Sequence, residues 1–308
     1  MNTDNPLVSV CCLTYNQSKF IRATIESIWN QNYKNIELIV LDDGSTDGSG
    51  QLLDDLAKIS PVPMTVLRQE NSGNIAYNMN RTIKLAKGKY IALLSLDDIW
   101  LAEAVSKPVS IMEQDDDIQF VTTSQLQEID DNGNPRKHRE RVISRLADIK
   151  ETIDDLINLD YQYFHSYYMQ GTLLRKSLID AIGGYDENVQ GDDIVLRSKI
   201  AFYMKEHPQM KFKIIHDTTF LYRVHNSSIA ANPIRQYETV RDFINCFHPN
   251  DKTPKRYKNF CFRLVQQGKI AYFFSEIKTN PRIRWYVLLV PYWLVRAAAI
   301  KIYKAFKR

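Results

Sequence analysis

Cysteine is scarce in this chain, and its few residues are not arranged to organise a fold. Four occur in 308 residues: Cys11, Cys12, Cys246 and Cys261. Two are adjacent in an apolar run and none has the spacing of a metal site, which leaves the reduced thiols of a cytoplasmic protein. Met1 to Pro6 lacks the basic-then-apolar pattern of a secretory leader. Internal repeats and low-complexity segments are absent. The longest apolar stretch, Trp285 to Ile300, is short for a membrane span of about 20 residues and is broken by Pro291 and Arg296. Its Trp, Tyr and basic flanks instead predict a helix lying in a membrane interface. Acidic residues almost vanish at the C-terminal end. From Lys252 to Arg308 there are 14 Lys and Arg against Glu276 alone, or 14 − 1 = +13. The whole chain carries +4, so the preceding 251 residues carry +4 − 13 = −9. An acidic body with a basic tail predicts an anionic membrane surface as partner; no recognition motif accompanies the charge, so nucleic acid is not expected.

What is present is enough for a large core, with 44% hydrophobic and 11% aromatic residues. The organising stretch is Ile36 to Ser49. Ile36-Glu37-Leu38-Ile39-Val40-Leu41 reads as a strand buried on both faces of a parallel sheet. It runs into Asp42-Asp43 and then a Gly/Ser/Thr/Asp turn, where Asp47 or Ser49 would cap the helix over 51–59. Asp43, Ser45, Asp47 and Gly48 match part of a calcium loop, but that loop joins two helices and this one follows a strand. Strands are predicted over 7–13, 64–67 and 90–94, with helices over 20–29 and 75–86 and Gly88 as a C-cap. This is the alternation of a doubly wound sheet, whose ligands bind at strand carboxyl ends.

The fourth strand ends in a second carboxylate pair, Asp97-Asp98. Two such pairs on one sheet edge repel and raise each other's pKa unless a cation relieves them, and Mg²⁺ or Mn²⁺ with a phosphate ligand would do so. A helix cap alone would need only one Asp.

Five segments in order, Val8-Ser9-Val10 to Thr14-Tyr15-Asn16, Asp42 to Asp47, Asn71-Ser72-Gly73, Lys87-Gly88-Lys89-Tyr90 and Leu96-Asp97-Asp98, resemble glycosyltransferase family 2. The resemblance runs over about residues 7–228. It implies an inverting enzyme of α/β class with the GT-A fold: a doubly wound, nucleotide-diphospho-sugar transferase-like mixed sheet with helices on both faces. It further implies that Thr14, Tyr15 and Asn16 line the donor site with Gly73, Tyr15 stacking on the base. Asp43 would contact the base, Asp97 the ribose, and Asp98 the metal, Mn²⁺ or Mg²⁺, that bridges the diphosphate of a UDP-sugar or related donor. The residue chemistry agrees, because an aromatic face, carboxylates and a cation suit a nucleoside diphosphate.

In the second half, Gln170 to Arg175 and Ile182 to Glu187 resemble the family's next strand and turn. In Asp192-Asp193, then Leu196 and Lys199, the chain departs from the family's usual Glu-Asp and trailing Arg. The resemblance makes Asp193 the general base; Asp192, by its position at a helix start, reads as a cap. Phe220 to Ser228 resembles a Tyr-Arg-x-His segment, making His225 a candidate second metal ligand and Arg223 a weaker candidate for the diphosphate. The aromatics of Tyr161 to Tyr168, around His165, would either bind sugar or fill core. Asp115-Asp116-Asp117 reads as a solvated turn, Asp130 to Pro135 as a hairpin or loop, and Arg136 to Arg141 as a solvated loop.

The expected architecture is a GT-A domain over 1–232, with a nucleotide-binding half (1–100) and an acceptor half (101–232), followed by a helical basic extension over 233–308. Helices are predicted over 235–247 and 255–275. The expected function is transfer of a sugar to a glycan or lipid-linked glycan in surface polysaccharide assembly, by a protein peripheral at the inner face of the cytoplasmic membrane. A non-catalytic nucleotide-sugar-binding scaffold is the rival. A nucleotidyltransferase is a third class, but it would show a Gly-rich basic loop after the first strand, and none is present.

Overall fold

The structure is a computed structural model that describes residues 5–136, 142–143, 145–164, 166–189, 192–225 and 232–306. Most of the Arg136 to Arg141 run, His165, Gln190-Gly191, Asn226 to Ser228, Arg308 and the Asp192 side chain lie outside the described residues. The described residues form two compact units. One comprises residues to Asp160 with 166–188 and 192–225; the other comprises Tyr161–Phe164 and the residues beyond 225.

The first unit opens with β1 (Val8–Thr14), α1 (Ser18–Trp29), β2 (Ile36–Asp42), α2 (Ser49–Ile59), β3 (Met64–Arg68), α3 (Ile75–Leu85) and β4 (Tyr90–Ser95). These strands pair in parallel in the order β3-β2-β1-β4. Val8, Val10, Cys11, Cys12, Leu38, Val40, Leu41, Tyr90 and Ile91 are wholly buried, as strands covered on both faces must be. α1 supplies one cover through Ile21, Ile25 and Ile28, at helical spacing. Gly88 is not the C-cap that its position suggests; Ala86 is. A Cβ on Gly88 would lie 2.6 Å from the Leu7 carbonyl oxygen, so glycine is required there by close approach to β1.

Next come β5 (Ile99–Trp100), α4 (Ser106–Met112), β6 (Ile118–Ile129), β7 (Val142–Ile143), α5 (Ile153–Tyr163), β8 (Thr172–Arg175), α6 (Lys176–Ala181), α7 (Asp192–Lys205) and β9 (Lys211–Arg223). The sheet continues β4-β8-β6-β9-β5, with β7 on β6. β8 runs antiparallel to β4 and β6, which makes the sheet mixed. β5 pairs with β9 through Ile99↔Leu221 and Trp100↔Phe220, and so folds the turn after β4 against the end of β9.

The second unit holds α8 (Pro233–Phe247), α9 (Tyr257–Gln266), α10 (Ile270–Thr279), a 3-10 stretch Pro281–Leu289 and α11 (Val290–Phe306). The single helix expected over 255–275 is two, because Gly268 at φ +75° ends α9 in the left-handed conformation that favours glycine. Asn280 ties the unit together, donating to the Tyr237 and Tyr257 hydroxyls, both at 3.1 Å. Contrary to the expected short run, Pro281–Tyr303 is 23 helical residues, long and apolar enough by composition to cross a membrane.

Candidate active site

The register of the parallel strands sets the site. Thr14 aligns with Asp42 on β2, and Leu13 with Ser95 on β4. The two carboxylate pairs therefore flank the end of β1, about 9–10 Å apart at two strand spacings.

On the β2 side the turn is closely stapled. Asn16, at φ +52°, donates its backbone N–H to Ser45 Oγ at 2.8 Å and accepts Thr46 N–H on Oδ1 at 2.8 Å. Asp47 accepts from Ser18 N at 2.9 Å and from Ser49 N at 3.0 Å. Burial pushes the Asp47 carboxyl up, yet the hydrogen bonds from Ser49 and Ser18 hold it below the usual carboxylate range. Asp43 accepts from Ser72 N at 2.8 Å, Gln69 Nε2 at 2.6 Å and Gly73 N at 3.3 Å, and so organises the loop over 69–73. Tyr15 is 51% exposed with no ring partner among the described residues. Thr14 is buried and donates to Gln17 Oε1 at 3.0 Å.

Gly44 is where this turn tolerates no side chain. Its φ is +76°, and an added Cβ would lie 2.6 Å from the Asn71 backbone nitrogen. Gly44→Ala is expected to destabilise by about 1–3 kcal/mol through forced strain and to displace the 69–73 loop, weakening any ligand held there. Denaturant melts and ligand titration would check both effects.

On the β4 side Asp98 is fully buried, and its Oδ1 accepts the Arg223 backbone N–H at 2.8 Å. Burial drives its pKa well above the carboxylate range, and the charges of Asp97 and Asp193 add to this. Asp97 Oδ2 lies 3.0 Å from His225 Nε2, whose ring packs 5.1 Å from Phe20. Arg223 is largely structural. Its guanidinium donates to the carbonyls of Asp97 (2.7 Å), Asp130 (2.8 Å) and Asp131 (3.2 Å), and lies over Phe20.

Asp193, half-buried in the first turn of α7, lies close enough to Asp98 for its charge to act there. The turn after β4 thus meets the end of β9 and the start of α7, at the same sheet edge as the turn after β2.

A buried ion pair behind α7 is not marked by any sequence motif. One turn beyond Asp193, the wholly buried Arg197 makes two 3.2 Å bonds to Asp160 and a 3.0 Å bond to the Tyr167 carbonyl. Burial would lower the pKa of Arg197, but Asp160 holds it above its ordinary value. Asp160 also accepts Ser166 N–H at 2.9 Å. An Arg within the apolar run Ile194-Val195-Leu196-Arg197 was the available signal, since a buried cation requires a partner. Lys199, where the family has Arg, donates to the Gly184 carbonyl at 2.6 Å. Tyr167 is core, with no exposed surface, whereas Tyr168 is half-buried against Phe220 and Tyr222.

Among the described residues no group of three or more His, Cys, Asp or Glu is spaced to hold a metal by itself. The donor set nevertheless fits a divalent ion bound jointly with substrate. Mg²⁺ and Mn²⁺ sites commonly take one or two carboxylates plus phosphate oxygens, and the buried Asp98 has a strong need for countercharge.

A mixed sheet of this topology, with one Asp-Asp turn after β2 and another after β4, has the GT-A fold. The chain belongs to glycosyl transferase family 2, whose model matches residues 9–182. It is 28% identical over 249 residues to glycosyltransferase GlyG of Streptococcus pneumoniae serotype 4, covering 78% of each chain. It is also 37% identical over 107 residues to WfaP of Escherichia coli, a UDP-Glc:alpha-D-GlcNAc-diphosphoundecaprenol beta-1,3-glucosyltransferase, covering 35% of this chain and 41% of that one. In fold it is similar to the mannosyltransferase PcManGT from Pyrobaculum calidifontis, solved in complex with GDP-Man and Mn²⁺. The TM-score is 0.59 at 16% identity, over 98% of this chain and 88% of that one.

Proposed function

We propose that this glycosyltransferase is a metal-dependent, inverting enzyme that takes a nucleotide-diphosphate sugar, with a UDP-sugar as the expected donor. Its acceptor would be a glycan or lipid-linked glycan in surface polysaccharide assembly. One arrangement carries the reading: a buried Asp98 beside Asp97, with the Asp193 charge reaching it from the start of α7. Tyr15 offers an exposed ring to the base, beside Thr14 and Asn16, while Asp43 and Gly73 form the wall of the base pocket. Asp97, held by His225, accepts from the ribose. Asp98 would hold Mn²⁺ or Mg²⁺, with the neighbouring His225 as a candidate further ligand, and such an ion would supply countercharge for the diphosphate.

Asp193 acts as general base. It removes the proton of the acceptor hydroxyl as that oxygen bonds to the anomeric carbon, while the bond from that carbon to the nucleoside diphosphate breaks on the opposite face. The WfaP acceptor, a diphosphoundecaprenol-linked sugar, supports a lipid-linked acceptor here, as does the basic tail. Both support a position at the inner face of the cytoplasmic membrane.

Calorimetric titration with UDP-, GDP- and TDP-sugars, in Mn²⁺ and in EDTA, tests the donor site. One nucleotide should bind in Mn²⁺ and weaken at least tenfold both in EDTA and in Asp98→Ala, equivalent to about 1.4 kcal/mol. Equal affinity under all three conditions would exclude the metal role of Asp98.

A further inference from the structure

The second unit carries an apolar surface that its own packing does not use. On α11 and the 3-10 stretch before it, Ile283, Val290, Trp293 and Ala297 are buried. Trp285, Leu288, Tyr292, Val295 and Ile302 are exposed, at 79%, 71%, 61%, 71% and 57%. Within α11, at about 100° per residue, the two sets lie on opposite sides of the helix. One side of the segment packs on its own unit and is closed to lipid, so only the outer side can face a bilayer. The outer stripe has the form of a helix lying flat in an interface.

Beside the stripe is a cleft of about 180 Å³ between α9 and α11, lined by Lys258, Asn259, Phe262, Tyr292, Trp293 and Arg296 among others. Tyr292 belongs to both stripe and cleft, so the cleft opens at the edge of the apolar surface. Arg296 lies over the Phe262 ring at 4.7 Å. Neither Arg296 nor Lys258 has an acidic partner among the described residues. The one acid after Lys252, Glu276, is engaged by Arg241 at 3.1 Å. A cleft lined by aromatic side chains and two exposed cations without an acidic partner among the described residues suits a phosphate group attached to a hydrocarbon body. A second copy of this chain would bring another +13 tail against the first, which argues against self-association.

We propose that the α9–α11 cleft is a headgroup site for an anionic phospholipid, occupied while the Trp285–Ile302 stripe lies in the same leaflet. The proposal rests on reading the tail as a membrane-surface element. Lys258 and Arg296 would receive the lipid phosphate, and Asn259 and the Tyr292 hydroxyl offer further polar contacts.

The test is flotation of the full chain with vesicles of phosphatidylcholine alone or with about 30% phosphatidylglycerol, which gives an anionic surface. Wild type should float only with the anionic vesicles. Val295→Asp should abolish flotation, and Lys258→Glu should weaken it about 25-fold, at roughly fivefold per unit charge. Arg284→Glu makes the same charge change outside the cleft and should cost less. Equal losses for Lys258→Glu and Arg284→Glu would overturn the headgroup site. So would a wild-type dimer in vesicle-free solution that Val295→Asp dissociates, or a protein that needs detergent to leave the membrane fraction. Nucleotide release from the donor should be unchanged in all three variants. If it persists while flotation fails, this inference falls and the catalytic reading stands.

Discussion

Asp193→Asn is expected to reduce kcat by about 10²–10⁴, the contribution typical of a positioned general base, while donor affinity stays within about twofold. The amide matches the carboxylate in shape but cannot accept the hydroxyl proton. It also removes a negative charge that acts on Asp98, and thereby eases the burden on that buried carboxyl. Donor affinity should therefore be preserved, and a variant that still binds the donor is folded, so unfolding cannot explain the loss. Single-turnover kinetics with calorimetry separates the two quantities. If turnover and affinity fell together, Asp193 would be a binding residue; if neither moved, the nucleotide-sugar-binding scaffold would be the better account.

Arg197→Met is expected to be the most destabilising of these changes, at about 3–5 kcal/mol, because it leaves the Asp160 carboxylate buried without its cation. Asp160 is 4% exposed and Arg197 2%, so water cannot replace the missing partner. The loss reaches further than a surface ion pair would. Asp160 also fixes Ser166, and Arg197 also fixes the Tyr167 carbonyl, so the segment approaching β8 is released together with α7. The double variant Arg197→Met/Asp160→Leu should recover most of the stability, since removing both charges removes the unpaired one. Urea denaturation of the single and double variants measures the coupling directly. A single variant within about 0.5 kcal/mol of wild type, the range of ordinary surface changes, would mean that the pair is not what holds α7.

The parts of the site that were legible in the sequence share a physical reason. β1, β2 and β4 are covered on both faces, so they are written as unbroken apolar runs, and the carboxylates stand out where those runs end. Asp42-Asp43 and Asp97-Asp98 needed no tertiary knowledge to be placed on one edge. β9 was harder. Its burial alternates irregularly along Lys211–Arg223, and its pairing with β6 shifts register at three places, so no clean period marks it. Arg223 and His225 were visible as residue types, but their partners lie more than 90 residues away, at Asp97, Asp130 and Asp131. Glycine also misled by context. Gly268 divides a helical pattern that otherwise reads as continuous, while Gly88 is dictated by Leu7 and Ser9, which only the sheet brings near. The tail reads as apolar and basic in sequence, but that its apolar residues divide into a packed side and a bare one follows from the fold alone.

The central claim is that the strand-end carboxylates serve a metal-dependent glycosyl transfer. Its most direct test is nucleotide release by the wild-type protein from a panel of UDP-, GDP-, TDP- and CMP-sugars, with Mn²⁺ and with EDTA, and with a lipid-linked glycan acceptor present. The account predicts release from one nucleotide-diphosphate sugar in Mn²⁺, accelerated by acceptor and lost in EDTA. Release that continues undiminished in EDTA would contradict it.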